Sequence, residues 1–327
     1  MDSVVSSRKA GARDRTARPL SSRRESARRV VQDVVRDRFL YLLALPGLLY
    51  FLIFCYGPMW GLLISFKEFN MYKGFNASPW VGLGQFVTLF RSTDFGAKFL
   101  NTLIISSLKI LFGFPAPIIL AILINEIRVR WFKKLTQTVL YLPYFVSWVV
   151  LSGILTVFLN PSDGVINFAI KAFGGAPVDF LHEPAWFRQV IVASDVYKNV
   201  GWGTVVYLAS MSGIDPDLYE ASWMDGANKW KQIVHITLPS IKGVIVILFI
   251  LNLGNILNAG FEQIFLLYSP NVYPVADIID TYVYRKGIMN ASYSLGTAAG
   301  LFKSLIALVM ILLTNAAAKR IGEEGVW

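Results

Sequence analysis

The chain is nearly empty of the residues that do chemistry. Its single cysteine, Cys55, lies in an apolar stretch. No disulfide framework or thiolate metal site can be built from it, and a buried structural thiol is expected. The two histidines, His182 and His235, stand far apart in the sequence, and no HExxH, GxSxG or Cys cluster accompanies them. No glycine is followed directly by lysine, so the GxxxxGK[ST] phosphate loop is absent and the chain is not itself a P-loop ATPase. Neither a nucleophile-base pair nor a metal constellation can be assembled, which argues against a membrane-embedded enzyme. No catalytic residue, cofactor site or metal site is expected.

What is present is apolar. Hydrophobic residues make up 55% of 327 positions, and the mean hydropathy is +0.52. No ordinary soluble domain of this length has that composition. Stretches of roughly 20 apolar residues can cross a bilayer. Segments that qualify lie at about 39–66, 100–124, 135–159, 187–213, 243–268 and 294–318. The fourth is the most polar, since it holds Asp195, Lys198 and Asn199. The expectation is an all-α, polytopic membrane protein with six transmembrane helices.

Charge orients it. The net charge is +10, and 11 of the 31 Lys and Arg residues precede Phe39. A basic block of this kind stays on the cytoplasmic side and can touch anionic lipid. A nucleic-acid arm fits less well, because the block has no interleaved aromatics and leads straight into an apolar span. An even number of spans then places both termini in the cytoplasm. The 125–134 loop, with Arg128, Arg130, Lys133 and Lys134, reads as cytoplasmic. The 160–186 loop, with Asp163, Asp179 and Glu183 against Lys171, reads as external. Trp80 and Trp186 on the external loops read as interface anchors, with a partner-facing role as the alternative. The long apolar stretch after Phe39 lacks a small-residue cleavage site, so it is not a cleavable signal peptide. The parts are then a basic tail over 1–38, a six-span domain over 39–318 and a short cytoplasmic tail over 319–327. Residues 1 to about 25 read as disordered. Val30, Val31, Val34, Val35 and Phe39, set against Arg29, Asp33, Arg36 and Arg38, read either as an amphipathic interfacial helix or as an extension of the first span.

One connecting segment, 214–241, is built like a folded element. Asp215 can cap a helix, Pro216 suits its first position, and Asp217 and Glu220 put negative charge near its positive end. Gly226 allows a sharp break. A second run carries Trp230, Ile233 and Val234 on one face, with Pro239 as its stop. A helix-break-helix elbow of this kind is suited to being gripped by another protein.

Glu220, Ala221, Ser222, Gly226, Ile236, Leu238 and Pro239 resemble the coupling-loop signature of bacterial ABC importer permeases. Asp225-Gly226-Ala227 is similar to the carbohydrate-uptake branch of that family. Ser222 stands where alanine is usual, and Ile233 where an aromatic is common. PWVGLGQF (79–86), FLNTL (99–103), LPYFVSW (142–148) and DTYVYRKG (280–287) extend the resemblance over about 40–318. The pattern is most similar to permeases for polysaccharide fragments, including the alginate type. The resemblance implies a permease subunit in the bacterial inner membrane that moves an oligosaccharide, such as an acidic alginate oligosaccharide. It implies a related but different second permease as partner. Two cytoplasmic ATPase subunits would use ATP and Mg, and an extracytoplasmic solute-binding protein would deliver the sugar. This chain would bind no cofactor of its own.

Polar residues inside the spans are costly and mark candidate path positions. Asn252, Asn255, Asn258, Glu262 and Gln263 fall within an arc of about 140° at roughly 100° per residue. They line a path or glue helices together. Asp195 and Lys198, three apart, share a helix face and either neutralise each other or contact a hydrophilic solute, with Asn199 beside them. Lys303 shares a face with Gly296, Gly300 and Ser304 and needs water, an acid or a substrate. Lys109 in the second span is in the same position. A cavity carrying Lys198 or Lys303 would favour an anionic solute. An ion-coupled secondary transporter of a hydrophilic solute is the alternative; it would need broken helices in matched halves, and no internal repeat is evident.

Overall fold

The computed structural model describes residues 36–320. The basic tail before Arg36, most of the amphipathic stretch and the last seven residues lie outside the described residues. Among the described residues the regular structure is helical, joined by turns and loops, with one isolated antiparallel bridge between Lys67 and Trp80. It divides at Gly61 and Leu62 into two units.

The first unit is a helix, α1 (Arg38–Tyr50), which continues as π-helical turns over Phe51–Tyr56 and a short α-turn at Gly57–Met59. None of its side chains is buried. Cys55 is exposed, against the expectation of a buried thiol. A stretch written to face hydrocarbon needs no protein around its thiol.

The second unit holds the remaining long helices. α2 (Thr93–Gly113) runs into α3 (Pro115–Asn125) with Pro115 at the first position of α3, where its missing N–H costs nothing. The two together make a 33-residue apolar run. This begins seven residues before the apolar segment read from the sequence, because the polar turn TDFGAK is helical as well.

The third predicted span is not one helix. α4 (Arg130–Phe145) and α5 (Trp148–Phe158) meet at 100°. Pro143 withholds a backbone donor in the last turn of α4, Val146 is extended, and the Ser147 hydroxyl caps α5 by accepting from the Val150 N–H at 3.3 Å. The fourth span is continuous: α6 (Pro184–Ser212), 29 residues long. Its buried residues Phe187, Ile191, Ser194, Lys198, Gly201, Thr204, Tyr207 and Met211 recur every three or four positions, as one helix face requires. A Cβ on Gly201 would lie 1.8 Å from the Leu140 carbonyl oxygen, so α4 and α6 touch backbone to backbone there.

After the elbow, the fifth predicted span is also broken. α9 (Lys242–Gly254) ends, Asn255–Gly260 is irregular, and α10 (Phe261–Leu267) starts anew. Gly260 has φ +91°, which a side chain would resist. The last helix, labelled α11, is Tyr293–Arg320. Between α6 and α9, α7 (Pro216–Met224) and α8 (Lys229–Gln232) form the elbow.

Three runs are long and apolar enough to cross a membrane by length and composition: Arg38–Phe66, Thr93–Asn125 and Tyr293–Arg320. The bent pairs Arg130–Phe145 with Trp148–Phe158 and Lys229–Ser240 with Lys242–Gly254 meet the same test together. In the second unit the core is apolar around Ile105, Phe187, Ile191, Ile264 and Ile278, all fully buried. Large apolar side chains such as Phe112, Leu123, Leu142, Val157 and Leu313 are exposed on the long helices. That inside-outside composition is the one a lipid-embedded bundle needs, since lipid is no more polar than the core.

Candidate functional site: a polar cavity and an exposed elbow

A cavity of about 490 Å³ opens among α2, α3, α4, α6, α9 and the break after α9. Its wall carries Ser106 and Lys109 from α2, Tyr144 from α4, Asp195, Asn199 and Trp202 from α6, and Asn252, Asn255, Asn258 and Gly260 from α9 and the break. Tyr144 and Trp202 are stacked at 4.8 Å and 10°.

The charges are not arranged as the sequence spacing suggests. Asp195 pairs with Lys109 at 2.9 Å, not with Lys198. Lys109 Nζ also donates to Gln263 Oε1 at 2.5 Å. The Gln263 amide nitrogen faces away, donating to the Ile191 carbonyl at 2.7 Å and the Ser194 hydroxyl at 2.8 Å. That orientation is fixed by charge, because a flipped amide would set its NH2 against an ammonium. The buried Gln263 thus holds Lys109 from behind, and α2, α6 and α10 converge on one cation.

Lys198 does different work. Its ammonium donates to the carbonyls of Pro143, at 3.5 Å, Tyr144, at 2.9 Å, and Val146. The Pro143 oxygen also accepts from the Val146 N–H at 3.2 Å, and all three carbonyls lie at the break between α4 and α5, where the regular helical ladder ends. It also lies 5.5 Å from the Trp148 ring centre. A positive group at a helix C-terminus satisfies both hydrogen bonding and dipole. Lys198 is outside the cavity wall, as are Lys303, Glu262 and Gln263. Lys303 is paired with both Asp280 oxygens at 2.6 and 2.8 Å. Glu262 is exposed in the first turn of α10. The arc of 252–263 therefore splits at the helix break: its asparagines reach the cavity and its last two members do not. Sequence reasoning missed Tyr144, Trp202 and Gly260 as wall residues. Gly260, standing in an apolar run, was the local signal for the break.

The segment 268–292 is tied down by buried polar groups. Asp277, fully buried, accepts from Arg285 and from the Thr281 hydroxyl, and lies 3.4 Å from Lys98. Burial draws the Arg285 pKa down, but the hydrogen bond and charge of Asp277 outweigh it and hold the guanidinium above its ordinary value. Arg188 donates to the Val275 carbonyl and to Asn101, whose amide donates to the carbonyls of Pro274 and Asp277. A Cβ on Gly296 would come within 2.7 Å of the Gly287 Cα, so the end of the DTYVYRKG stretch packs directly on α11.

In the elbow, the Asp215 side chain caps α7 by accepting from the Asp217 N–H at 3.0 Å. Gly226 turns the chain at φ +75°. Asn228 caps α8 by accepting from the Lys231 N–H at 2.9 Å. Pro239 does not stop the second run. The helix loosens into π-helical turns over Ile233–Thr237, which accommodate the proline, and bends by 64° only at Ile241. Gln232 is buried and braces the two arms, donating to the Tyr219 carbonyl at 3.2 Å and the Ser222 hydroxyl at 2.9 Å. The Tyr219 and Thr237 hydroxyls meet at 2.9 Å. Ser222, the residue that departs from the usual alanine, is thus part of the brace. Lys229 reaches Glu126 at 3.1 Å. Glu220, Ala221 and Asp225 are exposed, as are Trp223 at 76%, Met224 at 85% and Trp230 at 71%.

An apolar-surfaced helical bundle that encloses a polar cavity and presents a braced, exposed elbow is a membrane transport protein. The chain belongs to the family of binding-protein-dependent transport system inner membrane components, whose model matches residues 113–323. It is 47% identical to Protein LplB of Bacillus subtilis over 292 residues, which is 89% of this chain and 92% of that protein. It is 42% identical to the polygalacturonan/rhamnogalacturonan transport system permease protein YteP of the same organism over 305 residues, 93% and 95% of the two chains. A crystal structure of a bacterial alginate ABC transporter, in complex with alginate pentasaccharide-bound periplasmic protein, contains a chain that superposes with a TM-score of 0.85 at 44% identity. The match covers 91% of this chain and 100% of that one. The protein is a multi-pass membrane permease component of an ABC importer. That membership removes the secondary-transporter and membrane-enzyme readings.

Proposed function

We propose that this chain is the permease subunit through which an acidic oligosaccharide crosses the inner membrane, with Asp195, Asn199, Asn252, Asn255 and Asn258 on its path. The observation that carries the reading is the cavity itself: carboxamides, one ion pair and an aromatic wall suit a ligand rich in hydroxyl groups. The relatives that are named for polygalacturonan and alginate support an acidic sugar. In this reading the chain makes six crossings, with α6 as the fourth and both termini in the cytoplasm. A related second permease completes the pathway, an extracytoplasmic binding protein delivers the sugar, and two separate ATPase subunits hydrolyse ATP with Mg.

The elbow over 214–241 rests on an ATPase subunit. Glu220 anchors it, Ala221 and Ser222 permit close packing, and Asp225, Gly226 and Ala227 set its angle. Ile236, Leu238 and Pro239 carry the motion onward to α9. Closure of the ATPases moves the elbow and turns the spans from inward-open to outward-open. The test is ATP hydrolysis by the complex purified through a tag on this chain and reconstituted with its binding protein. Stimulation by uronate oligosaccharides above neutral ones is expected. Stimulation by neutral sugars alone would refute the acidic substrate, and a complex without ATPase would refute the assembly.

A further inference from the structure

Among the described residues, Lys109 and Asp195 are the only charged groups in the cavity wall. Both are substantially buried, with side chains 10% and 22% exposed. Lysine and aspartate in the middle of long apolar helices are expensive, and pairing is what makes them tolerable. A pair needed for neutralisation alone would face protein on all sides. This one faces the cavity. Among the described residues the ammonium bonds two acceptors, Asp195 and Gln263. An ammonium has three donors, so one remains. The neighbouring position is kept bare: Gly260 lies where any Cβ would come within 2.8 Å of Nζ. Gln263 is itself pinned by Ile191 and Ser194, so the ammonium is held in place rather than free to swing.

We propose that the Lys109–Asp195 pair sets the charge selectivity of the translocation cavity. Lys109 offers its remaining donor to a carboxylate or hydroxyl of the passing sugar. Asp195 holds the net charge of the cavity at zero, so that an anionic sugar is drawn in without being trapped. Asp195 is thus the residue that tunes the preference, and Lys109 the one that touches the ligand. This rests on the oligosaccharide reading above.

The test is uptake by the reconstituted complex with its binding protein, comparing an oligogalacturonate with a neutral galacto-oligosaccharide of the same length. The binding protein is unaltered, so any change in the acidic-to-neutral ratio reports on this chain. Asp195→Asn leaves a bare cation and should raise that ratio by about tenfold or more, as an uncompensated charge in a low-dielectric site does. Lys109→Gln leaves a bare anion and should lower it by a similar factor. The double variant is neutral but has lost the ammonium donor, so its ratio should lie above that of Lys109→Gln and below the starting value. Should Asp195→Asn fail to assemble, Lys109→Gln and the double variant still decide the matter. Uptake that falls equally for both sugars, with the ratio unmoved in every variant that assembles, overturns the proposal and makes the pair structural. An unaltered complex that takes up neither sugar refutes the oligosaccharide reading instead.

Discussion

Replacing Gln232 by methionine should loosen the elbow without unfolding the spans. Methionine keeps the side chain's length and apolar stem but removes both amide donors, which reach the Tyr219 carbonyl at 3.2 Å and the Ser222 hydroxyl at 2.9 Å. Each such bond is worth about 1 kcal/mol net when buried. Losing two costs about 2 kcal/mol, which at 1.4 kcal/mol per decade is about a thirtyfold change in local opening. Tyr219→Phe removes only the link to Thr237 at 2.9 Å, and should cost about 1 kcal/mol, or roughly fivefold. Amide hydrogen exchange over 216–240 in the purified complex reads the opening directly. Transport per ATP hydrolysed, measured in vesicles, reads its consequence. The expected result is faster exchange confined to the elbow, greater for Gln232→Met than for Tyr219→Phe, with ATP hydrolysis retained and uptake reduced. Exchange that does not change in either variant would show that the brace does not hold the arms together. Faster exchange with unchanged coupling would show that the elbow need not be rigid.

Glu220→Lys should leave the spans folded and abolish uptake through loss of ATPase coupling, because Glu220 is exposed on the elbow; co-purified ATPase with normal uptake would refute its role as anchor. Gly201→Ala should sharply reduce the yield of folded complex, since its Cβ would stand 1.8 Å from the Leu140 oxygen and only a backbone shift can relieve that; wild-type thermal stability would contradict the close approach. Lys198→Met should lower stability by about 3 kcal/mol or more by stranding carbonyls at the α4–α5 break, without shifting the acidic-to-neutral uptake ratio. A shifted ratio would instead place Lys198 on the path.

The elbow was readable from the sequence because its signals are local. Asp215, Pro216 and Gly226 each act within a few residues of themselves, and each stands where the residue type demands. The apolar segments were readable for the same reason. What hydropathy could not show was where a segment breaks. Between α4 and α5 the break needs an ammonium from α6, more than 50 residues away, to satisfy it. In the fifth segment the assumption of unbroken helical period carried Glu262 and Gln263 into the same arc as the asparagines. Gly260 ended that period. The pairing of Asp195 was misread because its nearest basic neighbour in sequence, Lys198, is already engaged by another helix, while Lys109 is 86 positions away.

The capture of the α4 carbonyls by Lys198 also bears on how the protein is made. The α6 sequence, with Asp195 and Lys198 in its middle, partitions poorly into lipid as a lone helix. The break after α4 is equally unfit for hydrocarbon, because it bares peptide oxygens. Each segment supplies what the other lacks, and α4 is synthesised first. The break after α4 is therefore sheltered only once α6 packs against it, and the two segments depend on each other to be stable in the bilayer.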